Sequence, residues 1–264
     1  MILVNGHPSD RVDALDRGLA YGDGVFRTLR TAAGMPLWWR DHYAKLASDC
    51  AALALDCPDE GVLRDEVCRV AGEGAAVAKI ILTRGAGVRG YTPPPVQTPT
   101  RIVMGLPLPA HAHPEAVDGI TARGCTLRLA QQPRLAGIKH LNRLENVLAR
   151  AEWDDPTILE GILCDTDGML VGGVMSNLLW VAQGILHTPD LSASGVAGVA
   201  RAPVARGAAS RTRHACRPLP ASGYTRCRGS DDLQQRPRRA PHRAPGRCVL
   251  PVRRMGRTIE HRIA

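Results

Sequence analysis

The chain is 264 residues long, with 34 basic and 25 acidic residues for a formal net charge of +9, and 44% of its residues are hydrophobic. That length buries a real core and suits two domains, and no apolar run approaches the ~20 residues of a membrane-spanning helix. The charge invites a nucleic-acid partner, but fifteen arginines and only three acids fall in 202–264, so the basicity belongs to that tail and the rest of the chain is slightly acidic.

The eight cysteines form no CxxC pair and no metal-ligand spacing, which predicts free thiols in a reducing compartment and no metal site. The opening MILVNGHPSD has no basic region followed by a long apolar one, so a cytoplasmic location is expected.

In chain order, residues 1–4 followed by Asn5-Gly6 predict an edge hairpin, because Asn-Gly takes the positive φ values of a two-residue turn. Residues 16–30 read DRGLAYGDGVFRTLR, in which the turn Gly22-Asp23-Gly24 feeds a strand over 25–29. Trp38-Trp39 leads into a helix over 41–55 with Leu46, Leu53 and Leu55 inward. A β-branched strand over 78–83 runs into RGAGVRGYTPPP, where glycines expose backbone N–H groups between Arg84 and Arg89, a composition suited to an anion. A strand over 101–106 and a proline-rich linker over 107–118 close a small N-terminal domain, residues 1–106.

A second domain, residues 119–201, opens with a strand over 119–129. In 135–153 the apolar residues Leu141, Leu144, Val147, Leu148 and Ala151 recur at three and four, predicting an amphipathic helix with that face buried. Lys139 stands just before it. Only three of the 34 basic residues are lysines, Lys45, Lys79 and Lys139, and a primary amine can form a Schiff base whereas a guanidinium cannot. A cation near a helix N-terminus faces the positive end of the macrodipole, which favours the neutral amine a nucleophile requires. Short strands at 161–165, 169–173, 176–181 and 185–190, joined by glycine turns, predict an antiparallel meander.

GIKHLNRLENVLAR, together with YGDGVF, RGxGxRGY and SNLLW, resembles the corresponding segments of the 4-amino-4-deoxychorismate lyases, members of the fold type IV pyridoxal-phosphate enzymes. The resemblance covers 1–201 and implies an α/β (α+β), two-domain fold acting as a homodimer on a small molecule, with no nucleic acid or membrane partner. It implies pyridoxal 5'-phosphate as cofactor, Lys139 as the catalytic amine, and conversion of 4-amino-4-deoxychorismate to 4-aminobenzoate and pyruvate in folate biosynthesis. Lys45 stands where the family carries an arginine on the cofactor phosphate, a point charge replacing a bidentate fork. Asn177 matches the pocket asparagine, and the backbone N–H groups of Val199 and Ala200 match a phosphate-binding turn. Arg84, Arg89, Asn142 and Arg143 are the implied substrate-binding residues. The alternatives are a class IV aminotransferase for D- or branched-chain amino acids and a catalytically inactive remnant.

Three departures qualify the resemblance. Arg27 stands where the family often has an acidic or small residue. Gly172 replaces the glutamate that ordinarily faces the pyridine nitrogen, which predicts weakened electron-sink chemistry. From Ala202 the helical pattern fails, and a run such as QQRPRRAPHRAPGR cannot complete a core. The 63 residues of 202–264 read as an out-of-frame translation of a GC-rich gene or a disordered basic tail.

Overall fold

The computed structural model describes residues 1–72, 76–87, 89–107, 120–182, 185–201, 212–214 and 247–250. The chain divides into two units: Met1–Ala112 with Ile138–Asn142, and His113–Gly137 with Arg143–Ala264. The segment carrying Lys139 therefore belongs to the first unit, although in sequence it lies well inside the second. The proline-rich linker falls almost wholly outside the described residues.

The first unit is a six-stranded antiparallel sheet of order β2-β1-β6-β5-β3-β4 with helices packed on it. Its strands are β1 (Ile2–Val4), β2 (His7–Pro8), β3 (Gly24–Ala32), β4 (Met35–Pro36), β5 (Ala76–Thr83) and β6 (Thr100–Leu106). The β1–β2 hairpin turns through Asn5 and Gly6, both at positive φ, and puts β2 on the sheet edge. Along β3 the buried side chains alternate as Val25, Arg27, Leu29 and Thr31, with Thr28 and Arg30 outward. Helix α2 (Trp39–Ala52) ends before Leu53, so the last turn expected for it is a loop that still buries Leu55. Two helices were not anticipated: α1 (Arg17–Tyr21) and α3 (Glu60–Ala71), the latter capped by Asp59 accepting from the Gly61 and Val62 amides. Leu46 and Cys50 of α2 and Leu63, Val67 and Val70 of α3 close over Leu3, Val25, Leu29, Ile80, Leu82 and Val103. Each such leucine stabilises by about 1.5–3 kcal/mol through burial.

The second unit does not form a single antiparallel meander. Strands β7 (Ile120–Leu129), β8 (Ile158–Asp165), β9 (Leu170–Gly173) and β13 (Arg247–Leu250) make one sheet of order β13-β7-β8-β9, in which β7 and β8 run parallel. Strands β10 (Trp180–Ala182), β11 (Ile185–Thr188) and β12 (Thr212–His214) make a second, with β11 and β12 parallel. Apart from the backbones of β12 and β13, the expectations for 202–264 fall outside the described residues.

The helix after Lys139 is shorter than expected, and its exposed face is the opposite of the one predicted. Helix α4 spans Leu144–Arg150, and Leu144, Val147 and Leu148 lie on its outside while Ala149 is the buried residue. Periodicity located an apolar stripe, but the stripe faces away from the unit's core.

Candidate active site

Residues 138–142 are extended and pair with the start of β3. The Phe26 amide donates to the Lys139 carbonyl at 3.0 Å, the Leu141 amide donates to the Gly24 carbonyl at 3.0 Å, and His140 bridges to Val25. This corrects the reason offered for a neutral Lys139. The macrodipole acts within the first turn, and Lys139 lies five residues before Leu144, where α4 begins. What fixes Lys139 is a strand-like seat with hydrogen bonds on both sides of the residue, since its own amide donates to Oδ2 of Asp49 at 3.0 Å. Its Nζ lies 5.0 Å from the ring centroid of Phe26, the chain's single phenylalanine, within cation–π reach.

Asp49 is the hub of this cluster in the first unit. Its carboxylate accepts from Arg27 and from Nζ of Lys45, besides the Lys139 amide. The Arg27 guanidinium also donates to the Phe26 and Lys45 carbonyls. Four residues along α2 separate Lys45 from Asp49, so both reach the same spot from one helix face. Beside them His42 is held neutral: burial first, then the positive charges of Arg27 and Lys139, lower its pKa to about 4. Among the described residues its buried Nδ1 has no hydrogen-bond partner.

The YGDGVF segment acts as a scaffold within the same unit. Asp23 accepts from Nε and Nη2 of Arg84 at 2.9 and 3.0 Å and from Nε of Arg17 at 2.9 Å. Burial pushes its carboxyl up, but those guanidinium hydrogen bonds outweigh burial and hold it below the ordinary value. Arg84 also donates to the Leu53 and Ala54 carbonyls, so its donors are committed inside the protein. A substrate-facing role does not suit it; it braces the loop. Arg89, by contrast, is exposed. Asn142 donates to the Gly22 carbonyl at 3.1 Å, and Gly22 is required there because a Cβ would come within 2.5 Å of the Asn142 oxygen.

In the second unit, Asn177 is locked by both ends of its amide. Its nitrogen donates to the Val196 carbonyl at 2.7 Å and its oxygen accepts from the Gly198 amide at 2.9 Å. The side chain thus shapes the turn that carries Val199 and Ala200. Among the described residues neither of those two N–H groups has an acceptor, which is the form an anion cradle takes. Arg143 is half-buried and donates to the Asn146 side chain at 3.4 Å.

Glu160, which the sequence did not single out, is 6% exposed and accepts from the Gly161 and Val174 amides at 2.9 Å and from the Ser176 hydroxyl at 2.7 Å. It pins the 174–176 loop, and a carboxylate so engaged does not replace the one missing at Gly172. A Cβ at Gly172 would press on the Ser176 carbonyl at 3.3 Å, a tight contact that a shift of a few tenths of an ångström relieves. Taken unit by unit, the primary amine of Lys139 and the open N–H groups of Val199 and Ala200 are groups whose chemistry suits pyridoxal phosphate, whereas Gly172 brings no acid. Among the described residues no cluster of His, Cys, Asp or Glu is placed to hold a metal, and no helix is long and apolar enough to cross a membrane.

Comparison with known proteins agrees with this geometry. A family model described as amino-transferase class IV matches residues 24–222. An aminodeoxychorismate lyase of Vibrio harveyi is 36% identical over 202 residues, covering 76% of this chain and 74% of that protein. A putative branched-chain-amino-acid aminotransferase of Methanocaldococcus jannaschii is 30% identical over 208 residues, covering 76% and 72%. The crystal structure of 4-amino-4-deoxychorismate lyase from Pseudomonas aeruginosa superposes with a TM-score of 0.75 at 46% identity, covering 81% of this chain and 80% of that one.

Proposed function

Since the chain belongs to the class IV aminotransferase family, we propose that it is a pyridoxal-phosphate-dependent lyase converting 4-amino-4-deoxychorismate to 4-aminobenzoate and pyruvate. The observation that carries the reading is the seat of Lys139, whose amide and carbonyl are both tied down so that one scarce primary amine is held in place. Identity favours the lyase over an aminotransferase, at 36% and 46% to lyases against 30% to an aminotransferase.

Pyridoxal phosphate, when bound, supplies an aldehyde that condenses with amines and a ring that withdraws electrons. The amine Nζ of Lys139 takes the proton from the amine-bearing carbon of the substrate ring and returns a proton to the departing enolpyruvyl group. That group leaves as pyruvate, and the ring becomes aromatic. Lys45 and the N–H groups of Val199 and Ala200 would hold the phosphate, with Asn177 keeping the turn in shape. Arg89, Asn142 and Arg143 would face the substrate, whose two carboxylates call for cations. With Gly172 in place of an acid, turnover is slower than in an enzyme carrying one.

The assembly we favour is a homodimer, supported by the apolar stripe Leu144, Val147 and Leu148, which the second unit leaves uncovered. The compartment we favour is the cytoplasm, on the strength of the cysteine pattern.

The test is pyruvate release from 4-amino-4-deoxychorismate by the coenzyme-loaded protein, combined with borohydride reduction and peptide mapping. Pyruvate release that Lys139→Ala abolishes, with the coenzyme tethered to Lys139, supports the reading. Amino transfer to a 2-oxo acid without pyruvate release would replace it with the aminotransferase.

A further inference from the structure

Two charged side chains and one backbone amide converge on a single buried carboxylate in the first unit. Asp49, 1% exposed, takes Lys45 on one oxygen, and on the other takes Arg27 and, at 3.0 Å, the backbone N–H of Lys139. Arg27 comes from the buried face of β3 and Lys45 from the same helix as Asp49. The Phe26 amide, one residue before Arg27, holds the other side of Lys139 at its carbonyl. An acid buried at this depth is stable only if its charge is matched, and here the match comes from two cations. One of them is the lysine assigned to the phosphate.

We infer that Asp49 is the positioning residue of this centre: it anchors the backbone of the reactive lysine and counterbalances Arg27 and Lys45, the two cations that share its carboxylate. The inference rests on the lyase reading for the identity of that lysine. Among the described residues, the charged and titratable groups tied to this cluster are Arg27 from β3 and Lys45 from α2 on the Asp49 carboxylate, His42 from α2, which feels the charges of Arg27, Lys139 and Asp41, and His140 next to Lys139 in sequence. Asp49 accepts from both Arg27 and Lys45, so its negative charge offsets theirs beside the Lys139 backbone. Asp49 also competes with the coenzyme phosphate for the ammonium of Lys45. Binding of the phosphate anion would draw Lys45 toward it, leaving the Lys139 anchor and the Arg27 pair on Asp49.

Asp49→Asn tests this, because the amide keeps an oxygen to accept from the Lys139 backbone and loses the charge. In coenzyme-free protein, the rate at which a trinitrobenzenesulfonate probe labels Lys139 is followed against pH by peptide mass spectrometry. The expected result is an apparent pKa lower by about one than in the unsubstituted protein, with faster labelling at fixed pH. Arg27→Met/Asp49→Ala removes one charge of each sign together with the backbone anchor. It is expected to restore the labelling profile while slowing attachment of pyridoxal phosphate to Lys139 several-fold. This double variant also serves should Asp49→Asn fail to fold because Arg27 is left unmatched.

A folded Asp49→Asn whose Lys139 profile is unchanged, or a double variant that attaches the coenzyme at the original rate, overturns the inference and leaves Asp49 as a counter-charge for Arg27. Borohydride attachment of the coenzyme to a residue other than Lys139 would instead overturn the lyase reading, a result distinguishable from either of these.

Discussion

Arg27 and Asp49 form an ion pair in which the side chains are 3% and 2% exposed, joining the buried face of β3 to the inner face of α2. Removing Arg27 leaves the buried Asp49 carboxylate with only part of its counter-charge, that of Lys45. Arg27→Ala alone is expected to lower stability by about 3–5 kcal/mol, whereas Arg27→Met combined with Asp49→Leu recovers most of the loss. Urea unfolding of the single and double variants measures the difference. Equal losses in both would mean that the region contributes by shape and not by charge balance.

Residue 172 is a glycine and brings no acid, and a Cβ there meets the Ser176 carbonyl at 3.3 Å. Gly172→Glu is expected to raise lyase turnover by on the order of tenfold or more by placing a carboxylate where the family carries one. Steady-state pyruvate release checks it. An unchanged rate in a folded, coenzyme-loaded variant would show that this chain does not use a partner at the ring nitrogen.

Gly198 and Asn177 are tied by a close approach: a Cβ on Gly198 would fall 2.1 Å from the Asn177 oxygen. Gly198→Ala therefore displaces the Asn177 amide from both of its backbone partners, at a cost of about 1–3 kcal/mol. The turn that presents the Val199 and Ala200 amides loses its shape, so coenzyme affinity falls, as read from fluorescence titration. Asn177→Ala should weaken binding in the same direction. Undiminished affinity in both variants would remove this turn from the phosphate site.

His42 makes acid stability a test of the first unit. Its folded pKa is about 4 against an ordinary 6.5, so below pH 6.5 the unfolded chain binds a proton that the folded chain refuses. Stability thus falls as pH drops from 6.5 toward 4, with a slope of at most about 1.4 kcal/mol per pH unit, and levels off below 4. His42→Gln removes this contribution, so its urea midpoint should vary less than the parent's across that window. Parallel curves would place the acid sensitivity elsewhere.

Leu144, Val147 and Leu148 are 76%, 60% and 59% exposed on α4. Val147→Glu/Leu148→Glu is expected to convert a dimer into monomers by light scattering, with circular dichroism unchanged. A dimer that survives the two charges uses another surface.

Much of the proposed site rests on one-dimensional signals. Lysine scarcity and the KHLNRLE segment pointed to Lys139, and SNLLW to Asn177, because the resemblance is local in sequence. Alternation along β3 puts Arg27 in register with Val25 and Leu29, and helical spacing puts Asp49 beside Leu46 and Cys50. Two opposite charges on two inward faces were a readable sign of a buried pair, but the pairing spans 22 residues and needs the sheet to bring it together. The inward turn of the stripe on α4 was misread because periodicity reports that a helix has two faces and not which of them meets the core.

By itself the sequence determined the element types in most of 1–201, the scarcity of lysine that singles out Lys139, and the glycine at residue 172, since each depends on the identity of neighbouring residues. Only the tertiary structure decided that Lys139 is seated by Asp49 and Phe26, that Arg84 braces Asp23, and that Glu160 closes the 174–176 loop. Hydrogen-bond partners separated by 90 residues, as Lys139 and Asp49 are, are chosen by the folded backbone that brings them within 3.0 Å, and no local pattern encodes that distance.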